Sequence, residues 1–389
     1  MSRAAWQRAA RCGALALCLS AAGLLAGCAI LPGFLGGQRA VRPQPAELPP
    51  NPALIGVRQA WSARLPAVDF PLAVQASDGA VVVAAGDGTV VSFDPATGRE
   101  AWRAAAGERL SAGVGSDGRL AAVVTRENQL VAMSAGQVAW RAPVGAGVFT
   151  PPLVAGGRVF VLAGDRSVSA YDGATGRRLW VQQRPGDPLV LRQSGVLLAV
   201  GDTLVAGQGG RLAGLDPRNG SLRWEAPIAT PRGTNDVERL VDLVGPAGRD
   251  GSTLCVRAYQ AAVGCVDAAR GSLQWTRPAG GLHGLAADDR RVYGTEADGR
   301  LVTWRRADGE RDWLHASLQW RSLTAPVLVG RSVAVGDSTG LVHLLSREDG
   351  SLNNRLATDG SAVAATPVLS GNTLVVVTRS GGVFGFVPQ

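Results

Sequence analysis

Tryptophan returns along this chain at a nearly fixed interval, and each time it closes the same phrase: turn glycine, alternating strand, Asp, tight turn with Gly, Trp. The clearest copies are GDGTVVSFDPATGREAW, from Gly86 to Trp102, and GDRSVSAYDGATGRRLW, from Gly164 to Trp180. Degenerate copies end at Trp140, Trp224, Trp275 and Trp313, and the turn glycine always lies four residues before the Trp, at Gly98, Gly136, Gly176, Gly220, Gly271 and Gly309. In a seventh copy Gly350 keeps the register but Asn354 holds the Trp slot. From Trp61 onward the slots are 41, 38, 40, 44, 51, 38 and 41 residues apart, the length of one four-stranded propeller blade.

Seven intervals predict seven complete blades. The residues after Asn354 supply further strands, at Thr373 to Thr378 and Gly382 to Val387, without a closing Trp, whereas Trp61 has no strands before it. The economical solution is an all-β, eight-bladed propeller of four-stranded antiparallel blades, closed by the amino-terminal strand around Trp61, which leaves no open end to the array. Local chemistry agrees. Runs such as Ala80 to Ala84 and Val159 to Leu162 are β-branched and short. Asp94-Pro-Ala-Thr-Gly98 combines a preset φ with a glycine able to take positive φ, so the chain reverses there. The recurring Trp is read as a cover over the seam between blades. The recurring Asp (Asp94, Asp172, Asp216, Asp267) is read as an acceptor for turn amides and not as a catalytic carboxylate.

The amino end carries a second signal. Arg3, Arg8 and Arg11 precede an apolar stretch from Cys12 to Leu25, and no acidic residue occurs before Glu47, the pattern of an export signal. It ends in Leu25-Ala26-Gly27-Cys28, which resembles a bacterial lipobox whose cysteine is lipidated and becomes the first mature residue. Ala29 after the cysteine fits sorting to the outer membrane. The expected organisation is therefore a signal peptide over 1–27, lipidated Cys28 with a Pro/Gly-rich tether over 28–56, and the propeller over 57–389, facing the periplasm.

Composition excludes several function classes. The formal charge of +8 falls by the three signal arginines to +5, and the 39 basic residues are all Arg, scattered without a basic stripe, so no nucleic-acid partner is expected. Cys255 and Cys265 remain after processing. A three-residue turn at Tyr259 to Ala261 would place them opposite one another and allow a cross-strand disulfide; two small buried thiols fit the same positions equally. Neither their spacing nor the scattered His283, His315 and His343 suits a metal site, and no cofactor is expected. Gly336-Asp-Ser-Thr-Gly340 matches a nucleophile-elbow pattern, but it occupies a hairpin slot where a strand-to-helix turn is required. Gly113-Val-Gly-Ser-Asp-Gly118 matches a dinucleotide pattern with no helix start behind it, and is read as a turn.

The repeat AxDxxTGxxxW resembles that of the eight-bladed pyrroloquinoline-quinone dehydrogenases. Joined to a lipobox, it resembles the BamB family, lipoproteins of the outer-membrane β-barrel assembly complex. Two interblade segments carry the resemblance further: Leu189-Val-Leu191-Arg192, and Arg239-Leu-Val-Asp242 after Glu238, which fall where the family has Leu-x-Leu-Arg and Arg-Leu-x-Asp-x-Asp. The second Asp of the latter is Val244 here. The run Leu323 to Leu328 leading into Gly336-Asp337-Ser338 is also family-like.

The resemblance implies a non-catalytic scaffold, anchored at the outer membrane, that binds the periplasmic POTRA domains of the barrel-forming subunit BamA. It implies contact with other assembly subunits and with nascent outer-membrane proteins, and names Leu189, Leu191, Arg192, Arg239 and Asp242 as the partner surface. The alternatives are a quinone-dependent dehydrogenase on the same ring, or an envelope lipoprotein propeller with another partner. The adjacent cysteine pair usual in those enzymes has no counterpart here.

Overall fold

A computed structural model describes residues 43–77, 79–184, 190–231 and 240–389. The residues from 45 onward form a ring of eight four-stranded antiparallel sheets, seven of them consecutive meanders. The first seven blades span residues 75–105, 110–143, 153–182, 197–227, 243–278, 285–315 and 327–357. The eighth takes three strands from 368–388 and its outer strand from Val57–Arg64, paired antiparallel to Gly382–Pro388 with Val57 opposite Pro388 and Arg64 opposite Gly382. Innermost strands of successive blades touch, the eighth against the first included, and between the fourth and fifth blades the inner strand Leu243–Asp250 meets the second strand Thr203–Gln208, so the ring is closed.

Burial follows the position of each strand. Inner strands are as short as three residues, for instance Gln75–Ser77 and Val368–Ser370. The second strands, such as Thr373–Val377 with every residue buried, are apolar on both faces because sheets pack on either side. Outer strands alternate, as in Gln137–Pro143, where Trp140 and Ala142 are buried and their neighbours exposed.

Each tryptophan closes the next blade, not its own. Trp140 lies over the turn glycine Gly176, Trp180 over Gly220, Trp275 over Gly309, Trp313 over Gly350, and Trp61, on the closing strand, over Gly98. Those glycines have φ between +70° and +75°, and a Cβ at Gly176 would stand 2.5 Å from the Trp140 ring, so conformation and space both require glycine. In these five the indole Nε1 donates to a carbonyl of the same turn, for instance Trp140 to Gly173 at 2.8 Å, Trp275 to Arg306 at 2.7 Å and Trp61 to Pro95 at 2.8 Å. Within the turns Asp94 Oδ1 accepts the Ala96 and Thr97 amides, and Asp172 Oδ1 those of Ala174 and Thr175. The repeat Asp is a turn acceptor.

Asn354 follows from this rule. The eighth blade is made of both chain ends, so no hairpin turn offers a glycine to cover. Asn354 Nδ2 instead donates to the Ile55 carbonyl (2.7 Å), and its Oδ1 accepts from Asn51 (2.9 Å). Residues 45–56, assigned to the tether on composition, form a strap seated on the ring. Ala46 N–H donates to Gln319 O (2.9 Å), Arg321 and Arg355 hold the Ala46 and Pro49 carbonyls, and Leu54 N–H donates to Asn353 O (2.7 Å). Prolines leave carbonyls without neighbouring amides, and arginines from the ring fill that role.

In the fifth blade Ala258 pairs with Ala262, which leaves Tyr259-Gln260-Ala261 as a three-residue loop with Gln260 at φ +49°. Cys255 is thereby opposite Cys265, and the two are joined as a disulfide, fully buried beside Trp275.

Candidate partner-binding site

Connections in an antiparallel meander alternate between the two faces of a ring. The turns between first and second and between third and fourth strands lie on one face. The other face carries the hairpins between second and third strands and the connections between blades. Both sequence segments singled out above are such connections, from the third blade to the fourth and from the fourth to the fifth, so they share a face. Leu189 and Arg239 lie outside the described residues, as does Cys28. Leu191, Arg192 and Asp242 are described, and they come together.

Asp242 organises the site. Its Oδ2 accepts the Leu191 backbone N–H at 3.0 Å, its Oδ1 accepts Nη2 of Arg166 at 3.3 Å, and its carbonyl accepts the Tyr259 amide. Leu191 is half-buried over a small cavity of about 50 Å³, whose walls include Val190, Phe149, Leu162 and Leu243 and whose floor is glycine backbone. Arg192 points outward, exposed, with its guanidinium carbon 5.8 Å from the centre of the Phe149 ring. The segment is pinned further on. Gln193 Nε2 donates to Leu282 O (2.7 Å) and lies 3.2 Å from His283 Nδ1, Gly245 N–H donates to Ser194 O, and Gly195 N–H donates to Thr150 Oγ1. Burial, with the cations of Arg257 and Arg379, pushes the His283 imidazole down to about 4.

The arrangement presents one apolar and one cationic side chain on a segment held through the backbone of Leu191, Ser194 and Gly195 and the side chain of Gln193. An ordered loop of this kind suits docking, because little side-chain freedom is left to lose on association. Arg166, Phe149 and Gln193 were not among the sequence candidates. Arg166 had a signal: it stands at φ +65° in the turn where the first blade has Gly88 and the sixth has Gly299.

Other sequence features resolve into architecture. Val244, at the slot of the family's second Asp, is buried in the sheet and bridged to Gly195, so it offers no polar group to the surface. Thr324, in the family-like run of the seventh blade, exchanges bonds with Gly336: its amide donates to Gly336 O and its Oγ1 accepts the Gly336 amide. In Gly336–Gly340, Asp337 Oδ1 accepts the Thr339 and Leu341 amides, which makes a hairpin turn. Gly113 and Gly115 lie inside the strand Leu110–Ser116. Among the described residues no cluster of His, Cys, Asp and Glu has the makings of a metal site.

Residues 86–315 match a family model described as "Outer membrane protein assembly factor BamB". The chain is 38% identical to the outer membrane protein assembly factor BamB of Burkholderia pseudomallei, over 86% of this chain and 89% of that protein. It is 36% identical to that of Bordetella pertussis, over 87% and 89%. The crystal structure of BamB from Moraxella catarrhalis superimposes with a TM-score of 0.77 at 25% identity, covering 85% of this chain and 99% of that one. The quinohemoprotein alcohol dehydrogenase of Comamonas testosteroni shares the fold at 15% identity and a TM-score of 0.66 over 86% of this chain and 77% of that one. With a family match over more than half its length, and relatives aligned over nearly all of theirs, the chain belongs to the BamB family of outer membrane protein assembly factors.

Proposed function

We propose that the ring is a non-catalytic scaffold of the outer-membrane β-barrel assembly machinery, tethered through lipidated Cys28 at the outer membrane, with its propeller in the periplasm. Through the face that carries the interblade connections it docks POTRA domains of the barrel-forming subunit, and so assists folding and insertion of nascent outer-membrane proteins alongside the other assembly subunits. The observation that carries this reading is the Leu191–Arg192 segment, a half-buried leucine and an exposed arginine on a loop fixed by Asp242 and Gln193, in a member of this family. Leu189 and Arg239 are taken to extend the same surface.

The test is co-precipitation of the barrel-forming subunit with Arg192→Glu and Leu191→Ala. Both side chains face outward or into a small cavity, so melting curves should match wild type. Reversing one side of a desolvated charge contact costs about 2–5 kcal/mol of binding, enough to lose a micromolar complex. Full retention of the partner by both variants would place the docking surface elsewhere.

A further inference from the structure

The Asp242 carboxylate is fully committed inside the chain: one oxygen takes the Leu191 amide, the other the Arg166 guanidinium. Both side chains are largely buried, with 17% of Arg166 and 16% of Asp242 exposed. Three elements meet there, the hairpin turn of the third blade, the connection to the fourth and the connection to the fifth.

Arg166 holds a left-handed conformation, φ +65°, that costs a residue with a Cβ roughly 1–2 kcal/mol. Equivalent turns in the first and sixth blades use Gly88 at +98° and Gly299 at +85°. The turn itself does not need the arginine side chain. It is closed by Arg166 N–H to Ala163 O (2.9 Å) and by Ser167 N–H to Asp165 Oδ1 (3.0 Å). A strained residue whose side chain contributes nothing to its own turn, and reaches a carboxylate 76 positions further along the chain, marks a site where that reach is what matters.

We propose that Arg166 and Asp242 are positioning residues: together they lock the Leu191–Arg192 segment in its docking geometry, and neither touches the docked partner. The arginine fixes the carboxylate, the carboxylate fixes the Leu191 amide, and Arg192 is then held over Phe149. This rests on the docking reading given above.

The experiment uses the full chain and the purified periplasmic domains of the barrel-forming subunit, with three readouts: affinity, melting temperature, and hydrogen exchange at the Leu191 amide in the absence of partner. Arg166→Gly relieves backbone strain but also takes the charge partner from a largely buried carboxylate, so the melting temperature should fall only modestly, while Leu191 exchanges faster. Affinity should drop on the order of tenfold, the cost of re-ordering two freed side chains on docking. Adding Asp242→Ala to Arg166→Gly should lose no more than Asp242→Ala alone, because both break one clamp.

Independent, additive losses would mean that each side chain meets the partner, and would overturn the proposal. So would unchanged affinity in Arg166→Gly while Arg192→Glu abolishes binding. Should Arg192→Glu itself retain the partner, the docking reading fails on its own, and Leu191 exchange still reports whether the clamp exists.

Discussion

His283 shows how one side chain can make the ring sensitive to acid. It sits in the connection from the fifth blade to the sixth, against the Gln193 amide that pins the docking segment. Burial and two nearby arginines lower its pKa from 6.5 to about 4. Between those values the unfolded chain binds the proton and the folded chain does not, so stability is lost as pH falls through the window. The loss approaches about 3 kcal/mol near its lower end. Chemical denaturation at neutral pH and near pH 4.5 should show that decline in the parent and a shallower one in His283→Gln. Equal slopes would mean the imidazole is not held neutral. This residue was legible only as a scattered histidine, because its surroundings come from Arg257 and Arg379, brought near by the ring. The repeat tryptophans were legible because each has a fixed partner one blade further on, and that periodicity is written into the chain.

Among elements, the strap of residues 45–56 accounts for the one place where the repeat breaks. A blade-closing Trp needs a turn glycine to cover, and the eighth blade has none. Asn354 serves the strap instead, through Asn51 and the Ile55 carbonyl. Restoring the consensus should therefore harm the protein. Asn354→Trp is expected to destabilise it by about 1–3 kcal/mol, through displacement of the strap and overpacking, whereas Asn354→Ala should cost about 1–2 kcal/mol by leaving a partly buried carbonyl unpaired. A Trp variant melting above the parent would contradict this account. Composition does not show the strap for a physical reason: a proline-rich segment has no hydrophobic period, and its attachments, backbone amides and side chains alike, pair groups some three hundred residues apart, as from Arg355 to Pro49.

At the scale of the ring, closure depends on Val57–Arg64, whose antiparallel pairing joins the two ends of the folded chain and whose Trp61 locks the eighth blade to the first. Deleting 57–65 removes that indole, a loss of about 3–5 kcal/mol by itself, and exposes the edge of Gly382–Pro388. The deletion variant should melt well below the parent and associate at high concentration; a monomeric variant with an unchanged melting curve would show that the ring does not depend on its seam. Blade number, strand count and the site of closure could all be read from Trp spacing, because a closed repeat leaves few arrangements. The clamp between Arg166 and Asp242 could not, since it joins two residues of different repeats and follows no period. Asp242 stood out only through the family resemblance, and Arg166 only as an arginine where the first and sixth blades have glycine.

The strap also has a mechanical consequence. A pull along the strap at Ala46 is taken up on the connection between the sixth and seventh blades by Gln319 and Arg321, and next meets Arg355, Asn354 and Asn353. Tension is spread over these attachments before any of it arrives at Val57. The seam that closes the ring thus lies downstream of a strain relief, much as a cable is clamped to its housing ahead of the solder joint.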